Sequence, residues 1–216
     1  MHEMQSFLKK ADILTFLNII FGFLALILIL DNQVNIAARL ILVAIVADGF
    51  DGYVARRSMS ESEFGMNFDS LSDCISFGVA PALLMYSYIS EWWAIGISLL
   101  YVGAGVLRLS RYNVSAHDME EGIFIGMPIP LGALFIVLAI FGALHPLLVV
   151  GAAIVVSYLM VCSINFAKVR SSKFPVQNLA VLCLVAIPYI YLIPVARLAF
   201  AGCSCGIFMR KKRDTQ

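Results

Sequence analysis

The sequence predicts an all-α integral membrane protein, a single membrane-embedded domain built as a helical bundle of about eight spans. Of its 216 residues, 61% are hydrophobic and only 13% are charged, whereas soluble domains have about 45–50% and about 25%. A soluble domain of this composition would expose apolar surface that favours aggregation. Apolar runs of about 20 residues recur, which is the length that crosses about 30 Å of hydrocarbon as a helix.

The N-terminal residues 1–11 predict a short amphipathic helix in the headgroup plane. Met4, Phe7, Leu8 and Ala11 follow the i, i+3, i+4, i+7 spacing of one helix face. The apolar run 13–30 that follows is long and lacks a small-residue cleavage site. It therefore predicts a first membrane span rather than a secretory signal.

Further spans within the predicted bundle, residues 12–209, follow from the later apolar runs. The last two predicted spans are short and are separated by Pro194, so one bent helix, giving seven spans, is the alternative. The candidates are 36–57, 65–89, 92–110, 128–144, 146–167, 177–193 and 195–209.

The positive charges predict the orientation. In this arrangement of spans, 13 of the 15 basic residues lie on one side of the membrane, and only Arg39 and Arg197 do not. By the positive-inside rule that side is cytoplasmic. Both termini, including the basic tail 210–216, then face the cytoplasm, which favours eight spans over seven. The formal net charge of +1 argues against nucleic acid as a partner.

Four aspartates occupy unfavourable positions near the predicted cytoplasmic surface. Asp48 and Asp51 are spaced i, i+3 at the end of span two, and Asp69 and Asp73 are spaced i, i+4 at the start of span three. A carboxylate at mid-membrane costs roughly 2.5–3.5 kcal/mol, and the neighbouring spans offer no run of lysines. Carboxylate clusters select hard divalent cations. The pattern therefore predicts two divalent cations, Mg²⁺ or Mn²⁺, as in two-metal phosphoryl-transfer sites.

Glycines and an arginine accompany these acids. Gly49, Gly52 and Gly65 leave room for a ligand to approach the backbone, and Arg56 follows one turn after Gly52. An arginine fork suits phosphate oxygens. The segment predicts a pocket for a metal-bound, phosphorylated nucleotide. The alternative from another class is a divalent-cation transporter whose ion path uses the aspartates.

Residues 48–73 read D-x2-D-G-x2-A-R-x8-G-x3-D-x3-D. This pattern resembles the signature of the CDP-alcohol phosphotransferases, integral membrane enzymes that transfer a phosphatidyl or similar group from a CDP-linked donor to an alcohol and release CMP. The resemblance implies a multi-span enzyme in the membrane, and it implies a homodimer.

The resemblance also implies roles for individual residues. Asp48, Asp51 and Asp69 would bind the first metal ion, and Asp73 would join the second ion and act as the base that deprotonates the acceptor. The residues implied to bind the CDP-lipid are Gly52, Arg56 and Ser62, together with Thr15 and Asn18, which match a TxxN element on span one.

The acceptor is predicted from two further segments, 108–113 (RLSRYN) and 122–130 (GIFIGMPIP). Both resemble the phosphatidylserine synthase branch of the family, where R-x2-R-Y-N and G-x-P-x-P occur, so L-serine is the favoured acceptor. An archaeal counterpart with a CDP-linked ether lipid shares these motifs. Glycerol 3-phosphate or inositol phosphate is the alternative acceptor. The alternative roles of the two arginines are binding of the donor pyrophosphate and anchoring to anionic headgroups. The predicted acceptor-binding residues are Arg108, Arg111, Tyr112 and Asn113.

Overall fold

The structure is a computed structural model and describes residues 10–58, 62–115 and 123–167. The described chain is helical apart from its connections and one short two-stranded ribbon. The helices are α1 (Lys10–Leu30), α2 (Val34–Ser58), α3 (Glu63–Asp73), α4 (Ala80–Ile89), α5 (Ala94–Ser115), α6 (Ile129–Phe141) and α7 (Pro146–Val161). The strands are β1 (Ile123–Ile125) and β2 (Asn165–Ala167).

Within the described residues, three helical stretches are long and apolar enough to cross a membrane, namely Asp12–Leu30, Glu63–Ile89 and Ala94–Ser115. Two shorter apolar helices, Ile129–Phe141 and Pro146–Val161, accompany them. Several apolar helices in one chain support a multi-pass membrane protein. The predicted spans 177–193 and 195–209, and with them the choice between seven and eight, lie outside the described residues, as does the basic tail.

The predicted interfacial helix, residues 1–11, lies mostly outside the described part of the chain, which begins at Lys10 with α1. The part of α1 that is long and apolar enough to cross a membrane begins at Asp12. The interfacial helix remains a prediction.

The end of span six is corrected, although the described chain remains helical apart from one short ribbon. Helix α7 ends at Val161 rather than at residue 167, and Cys162 has extended backbone (φ −62°, ψ 159°). Strand β2 then pairs antiparallel with β1, with Phe166 opposite Phe124. The apolar sequence fits either conformation; the pairing of these backbone groups favours the strand.

Helix α5 extends further than predicted, to Ser115 rather than to residue 110. Its polar last turns are stabilised by contacts that the sequence does not reveal. Helix α6 is shorter than the predicted span 128–144, because it ends at Phe141 and Gly142 follows as its C-cap. Ala143, with φ of +46°, then turns the chain towards α7.

The core lies around α6. Ten residues of α6, from Ile129 to Phe141, are buried, and α2, α4, α5 and α7 all contact this helix. In contrast, large apolar side chains on α1 and α5 are exposed, among them Ile13, Phe16 and Leu99. Such an apolar outer surface suits contact with lipid, where no polar face is needed.

Helices α3 and α4 form one rod interrupted by a π-helical turn, Cys74–Val79, which begins directly after Asp73. A π-helical turn contains one extra residue and shifts the faces of the helix on either side of it. The hydroxyl of Tyr101 donates to the carbonyl of Phe77 within the turn at 3.0 Å. The turn lets α3 direct its aspartates to one end of the bundle while α4 continues through the core.

Candidate active site

Three of the four predicted aspartates come together at one end of the bundle. Carboxylate oxygens of Asp48 from α2 and of Asp69 and Asp73 from α3 all lie within 4.8 Å of one another. Asp73 is buried, with 6% of its surface exposed, and Asp48 and Asp69 are half-buried. The i, i+4 spacing puts two carboxylates on one face of α3, and the packing of α2 adds the third.

The remaining residues of the α2 signature are described only as backbone. Asp51, Gly52 and Arg56 lie in the last turns of α2, which ends at Ser58. Their side chains lie outside the described part of the structure. Their predicted roles in metal and CDP-lipid binding therefore remain predictions.

A buried arginine lies next to the acidic cluster. Arg108 of α5 has 7% of its surface exposed, and its guanidinium interacts electrostatically with Asp73, Asp48 and Asp69. A buried cation beside carboxylates offsets part of their mutual repulsion. The sequence showed no run of lysines in the neighbouring spans and predicted Arg108 as an acceptor-binding residue, not as a counter-charge to the aspartates.

Helix α1 is hydrogen-bonded to the helical segment that carries Asp73. The amide Nδ2 of Asn18 donates to Oδ1 of Asp73 at 3.3 Å. The hydroxyl of Ser72 donates to the carbonyl of Thr15 at 3.2 Å, and the hydroxyl of Ser76 donates to the carbonyl of Asn18 at 3.0 Å. The predicted CDP-lipid residues Thr15 and Asn18 are thus 4% and 0% exposed, and they contact the helix that carries Asp73.

The start of α3 is shaped by Ser62 and Gly65. Ser62 is the N-cap, and its hydroxyl oxygen accepts from the backbone N–H of Gly65 at 3.1 Å. A Cβ on Gly65 would lie 3.2 Å from that hydroxyl and 3.4 Å from Oδ1 of Asp12. Asp12 is 6% exposed. Capping therefore accounts for one interaction of Ser62, and its predicted contact with the CDP-lipid remains a prediction.

Arg111, the second arginine of the RLSRYN segment, binds backbone carbonyls. Its Nη1 donates to Val161 at 2.7 Å, and its Nη2 donates to Ile125 and Met160 at 3.0 Å each. A further bond of 3.4 Å reaches Cys162. A cation at the carbonyl end of a helix is favourable because of the helix dipole. Arg111 thus holds β1 and the end of α7 against α5.

Tyr112 and Asn113, the last two predicted acceptor-binding residues, also have partners within the protein. The guanidinium carbon of Arg108 lies 5.4 Å from the ring centroid of Tyr112, a cation–π distance. The side chain of Asn113 accepts from the hydroxyl of Ser70 at 2.8 Å and donates to Asn67 at 3.2 Å. Asn113 therefore ties α5 to α3 beside the acidic cluster.

Three features of the site were not predicted from the sequence. They are Asp12, the contact between Asn18 and Asp73, and the counter-charge provided by Arg108. The signal for Asp12 was present, because it is an isolated acid at the start of an apolar run. The other two features join residues that are 55 and 35 positions apart in the sequence, and no local pattern encodes such contacts.

The residues present fit a divalent cation. Three carboxylates face one guanidinium, which leaves two negative charges in a largely buried site. Oδ1 of Asp69 is buried and has no hydrogen-bond partner among the residues that the structure describes. A buried acceptor of this kind is costly unless a cation or a donor reaches it. Hard oxygen ligands of this kind suit Mg²⁺ or Mn²⁺.

The chain is similar to known proteins over most of its length. The model of the CDP-alcohol phosphatidyltransferase family matches residues 8–167. The chain is 40% identical over 172 residues to the archaetidylserine synthase of Methanothermobacter thermautotrophicus, covering 77% of this chain and 73% of that protein.

Two relatives carry the name CDP-diacylglycerol–serine O-phosphatidyltransferase. The protein of Helicobacter pylori is 32% identical over 199 residues, covering 87% of this chain and 84% of its own length. That of Methanocaldococcus jannaschii is 35% identical over 192 residues, covering 88% and 90%. Together with the family match, these relatives favour an enzyme over the cation transporter. The chain belongs to the CDP-alcohol phosphatidyltransferase family, whose members transfer a phosphatidyl or similar group from a CDP-linked donor to an alcohol.

Proposed function

We propose that this protein transfers a phosphatidyl or archaetidyl group from a CDP-linked lipid to the hydroxyl of L-serine and releases CMP. The observation that carries the proposal is the convergence of Asp48, Asp69 and Asp73 beside the buried Arg108. The names of the three relatives support serine as the acceptor. Relatives named for archaetidyl and for phosphatidyl transfer both match, so the donor class is defined as a CDP-linked lipid.

In the proposed reaction, the carboxylate of Asp73 accepts the proton of the serine hydroxyl. The serine oxygen then bonds to the lipid-side phosphorus of the donor, and the bond from that phosphorus to the bridging oxygen breaks. CMP leaves with the bridging oxygen. General-base catalysis of this kind contributes about 10²- to 10⁴-fold, and much of the remaining acceleration comes from holding the reactants in position.

Asp48, Asp51 and Asp69 would hold one divalent cation, and Asp73 would join a second. Bound Mg²⁺ or Mn²⁺ would offset the charge on the diphosphate and on departing CMP. The half-buried carboxylates of α2 and α3 provide oxygen ligands at the end of the bundle, where a diphosphate can arrive from the headgroup region.

The donor nucleotide is assigned to Gly52, Arg56 and Ser62, with Thr15 at the edge of that site. The serine carboxylate is assigned to Arg108. This guanidinium already lies beside the carboxylate that accepts the proton, so a serine bound to it would present its hydroxyl near Asp73. Tyr112 and Asn113 support this end of α5.

The protein would work as a homodimer in the membrane, with both termini and the active site facing the cytoplasm. The distribution of basic residues supports this orientation. Light scattering of the detergent-solubilised protein tests the dimer. Labelling of cysteines introduced into each terminus of the protein in sealed vesicles tests the orientation.

The decisive experiment measures incorporation of radiolabelled serine into lipid by the purified protein. It uses CDP-diacylglycerol or CDP-archaeol as donor, with Mn²⁺, with Mg²⁺ or with chelator. We expect CMP release that depends on serine and on the divalent cation. CMP release that instead depends on glycerol 3-phosphate or inositol phosphate would replace serine as the acceptor, and full activity with chelator would refute the metal site.

A further inference from the structure

We infer that Asn18 is a positioning residue that fixes the carboxylate of Asp73, rather than a ligand of the donor nucleotide. The inference rests on the proposed function, in which Asp73 is the base. It assigns to α1 the task of orienting the base.

The contact between the two side chains is direct and buried. Nδ2 of Asn18 donates to Oδ1 of Asp73 at 3.3 Å, and the two residues are 0% and 6% exposed. A carboxylate can only accept, so the amide must turn its nitrogen towards Asp73. One carboxylate oxygen is thereby held in a fixed direction, which also fixes the direction of the other.

The backbone around Asn18 is held by hydrogen bonds to the helical segment that carries Asp73. The Ser72 hydroxyl binds the carbonyl of Thr15, and the Ser76 hydroxyl binds the carbonyl of Asn18 itself. These two serines lie on either side of Asp73 in sequence. The three hydrogen bonds form a seam between α1 and the α3 and π-helical segment, and Asn18 lies at its centre.

Gly22 allows α1 to pack closely against the π-helical segment at this seam. A Cβ built on Gly22 would lie 2.1 Å from the hydroxyl oxygen of Ser76 and 2.8 Å from its Cα. The helices therefore approach more closely here than any larger residue allows. Close packing one turn after Asn18 keeps the amide within reach of Asp73.

Stability alone does not account for an amide at this position. Oδ1 of Asn18 is buried and has no hydrogen-bond partner among the described residues. A buried acceptor without a partner is destabilising, whereas an apolar side chain of similar volume would avoid that cost. Nucleotide binding does not account for it either, since the residue has no exposed surface, its amide nitrogen donates to Asp73 and its backbone carbonyl accepts from Ser76.

The test compares the wild type with Asn18→Leu, which keeps the branching at Cγ and removes the donor. We expect kcat to fall by about 10²-fold, the scale of a small misplacement of a catalytic group. We also expect an unchanged KM for CDP-lipid and a thermal midpoint equal to or above that of the wild type. A raised KM with unchanged kcat would overturn the inference and restore Asn18 to the nucleotide.

A second pair of variants tests whether Asn18 acts through Asp73. In a double-mutant cycle, Asn18→Leu should cost almost nothing when added to Asp73→Asn, because the base is already lost. A full additional loss would show that Asn18 acts on its own and would overturn the inference. If Asn18→Leu does not fold, Asn18→Ala replaces it, since it removes the donor without adding volume or charge and carries the same expectation for kcat.

Ser98→Ala is the matched control. The Ser98 hydroxyl makes a buried 3.0 Å bond to the carbonyl of Ala82, between α5 and α4, and Ser98 is not among the site residues. It should keep the wild-type kcat while losing some thermal stability. If the wild type transfers no lipid to any acceptor, the proposed function fails and this inference with it. If the wild type is active and Asn18→Leu turns over at the same rate, only the positioning role fails.

Discussion

Two arginines one helical turn apart at the end of α5 belong to different regions of the molecule. Arg108 is buried against the acidic cluster and lies over the ring of Tyr112. Arg111 donates to the backbone carbonyls of Val161, Ile125 and Met160, and so holds the ribbon and α7 against α5.

The two regions use the same guanidinium group for different purposes. In the acidic region, formed by Asp48, Asp69 and Asp73, the charge of Arg108 offsets carboxylates. In the carbonyl region, formed by the backbone carbonyls around the end of α7, the N–H donors of Arg111 bind carbonyl oxygens that lack a partner within the helix. Both residues are arginines on the same helix, so the elements that pack against each one determine which groups it binds. Substitutions in each region test whether the acidic region controls the chemistry and the carbonyl region controls the stability.

The largest effect should come from Asp73→Asn in the acidic region. The amide cannot accept the serine proton, so turnover should fall by about 10³-fold or more, with CDP-lipid binding retained. Radiolabelled serine incorporation and equilibrium binding of CDP-lipid measure the two quantities. Turnover at the wild-type rate would remove Asp73 from the role of base.

Arg108→Gln should raise the KM for serine by about tenfold or more. Hydrogen bonds to charged groups contribute about 1.5–3 kcal/mol, and about 1.4 kcal/mol corresponds to a factor of ten. The same variant should bind Mn²⁺ more tightly, since the counter-charge beside Asp73 is gone. Initial rates and a Mn²⁺ titration followed by paramagnetic resonance measure both effects. An unchanged serine KM would leave Arg108 as a counter-charge only.

Arg111→Gln should act mainly on stability. It breaks charge-assisted bonds to several carbonyls, so we expect the free energy of unfolding to fall by about 3 kcal/mol. Thermal unfolding in detergent measures this loss, and the serine KM of the protein that remains folded should change less than it does in Arg108→Gln. A serine KM that rises equally in both variants would contradict the division between the two regions.

Gly126→Ala should produce a smaller loss in the carbonyl region. Gly126 has φ of +81°, and a Cβ there would lie 2.4 Å from the carbonyl oxygen of Met160 and 2.5 Å from Nη2 of Arg111. The left-handed backbone alone costs an alanine about 1–2 kcal/mol, and the contact adds to this cost.

Gly103→Ala is the control for this variant. A Cβ on Gly103 meets nothing within 4 Å, and alanine favours the helix, so its thermal midpoint should equal or exceed that of the wild type. Equal midpoints for the two alanine variants would show that Gly126 is not constrained by Arg111.

The central helical elements and three members of the acidic cluster could be predicted from the sequence. The six helical regions up to residue 161 follow runs of apolar residues, because length and hydropathy are local properties. The convergence of Asp69 and Asp73 follows from their spacing on one helix face. The ends of the helices were less predictable. Helix α7 ends early because the residues after it pair with β1, and α5 extends further because its polar last turns contact other parts of the chain.

The sequence by itself determined that the chain is apolar enough for a membrane, that its acids fall at two neighbouring helix ends, and that it carries the family signature. Periodicity, composition and motif spacing contain that information. Only the tertiary structure decided that Arg108 is placed against the carboxylates, that Arg111 holds a helix end, and that Asn18 is bonded to Asp73. Each of these contacts joins segments distant in the chain, so it depends on how the helices pack rather than on any local pattern.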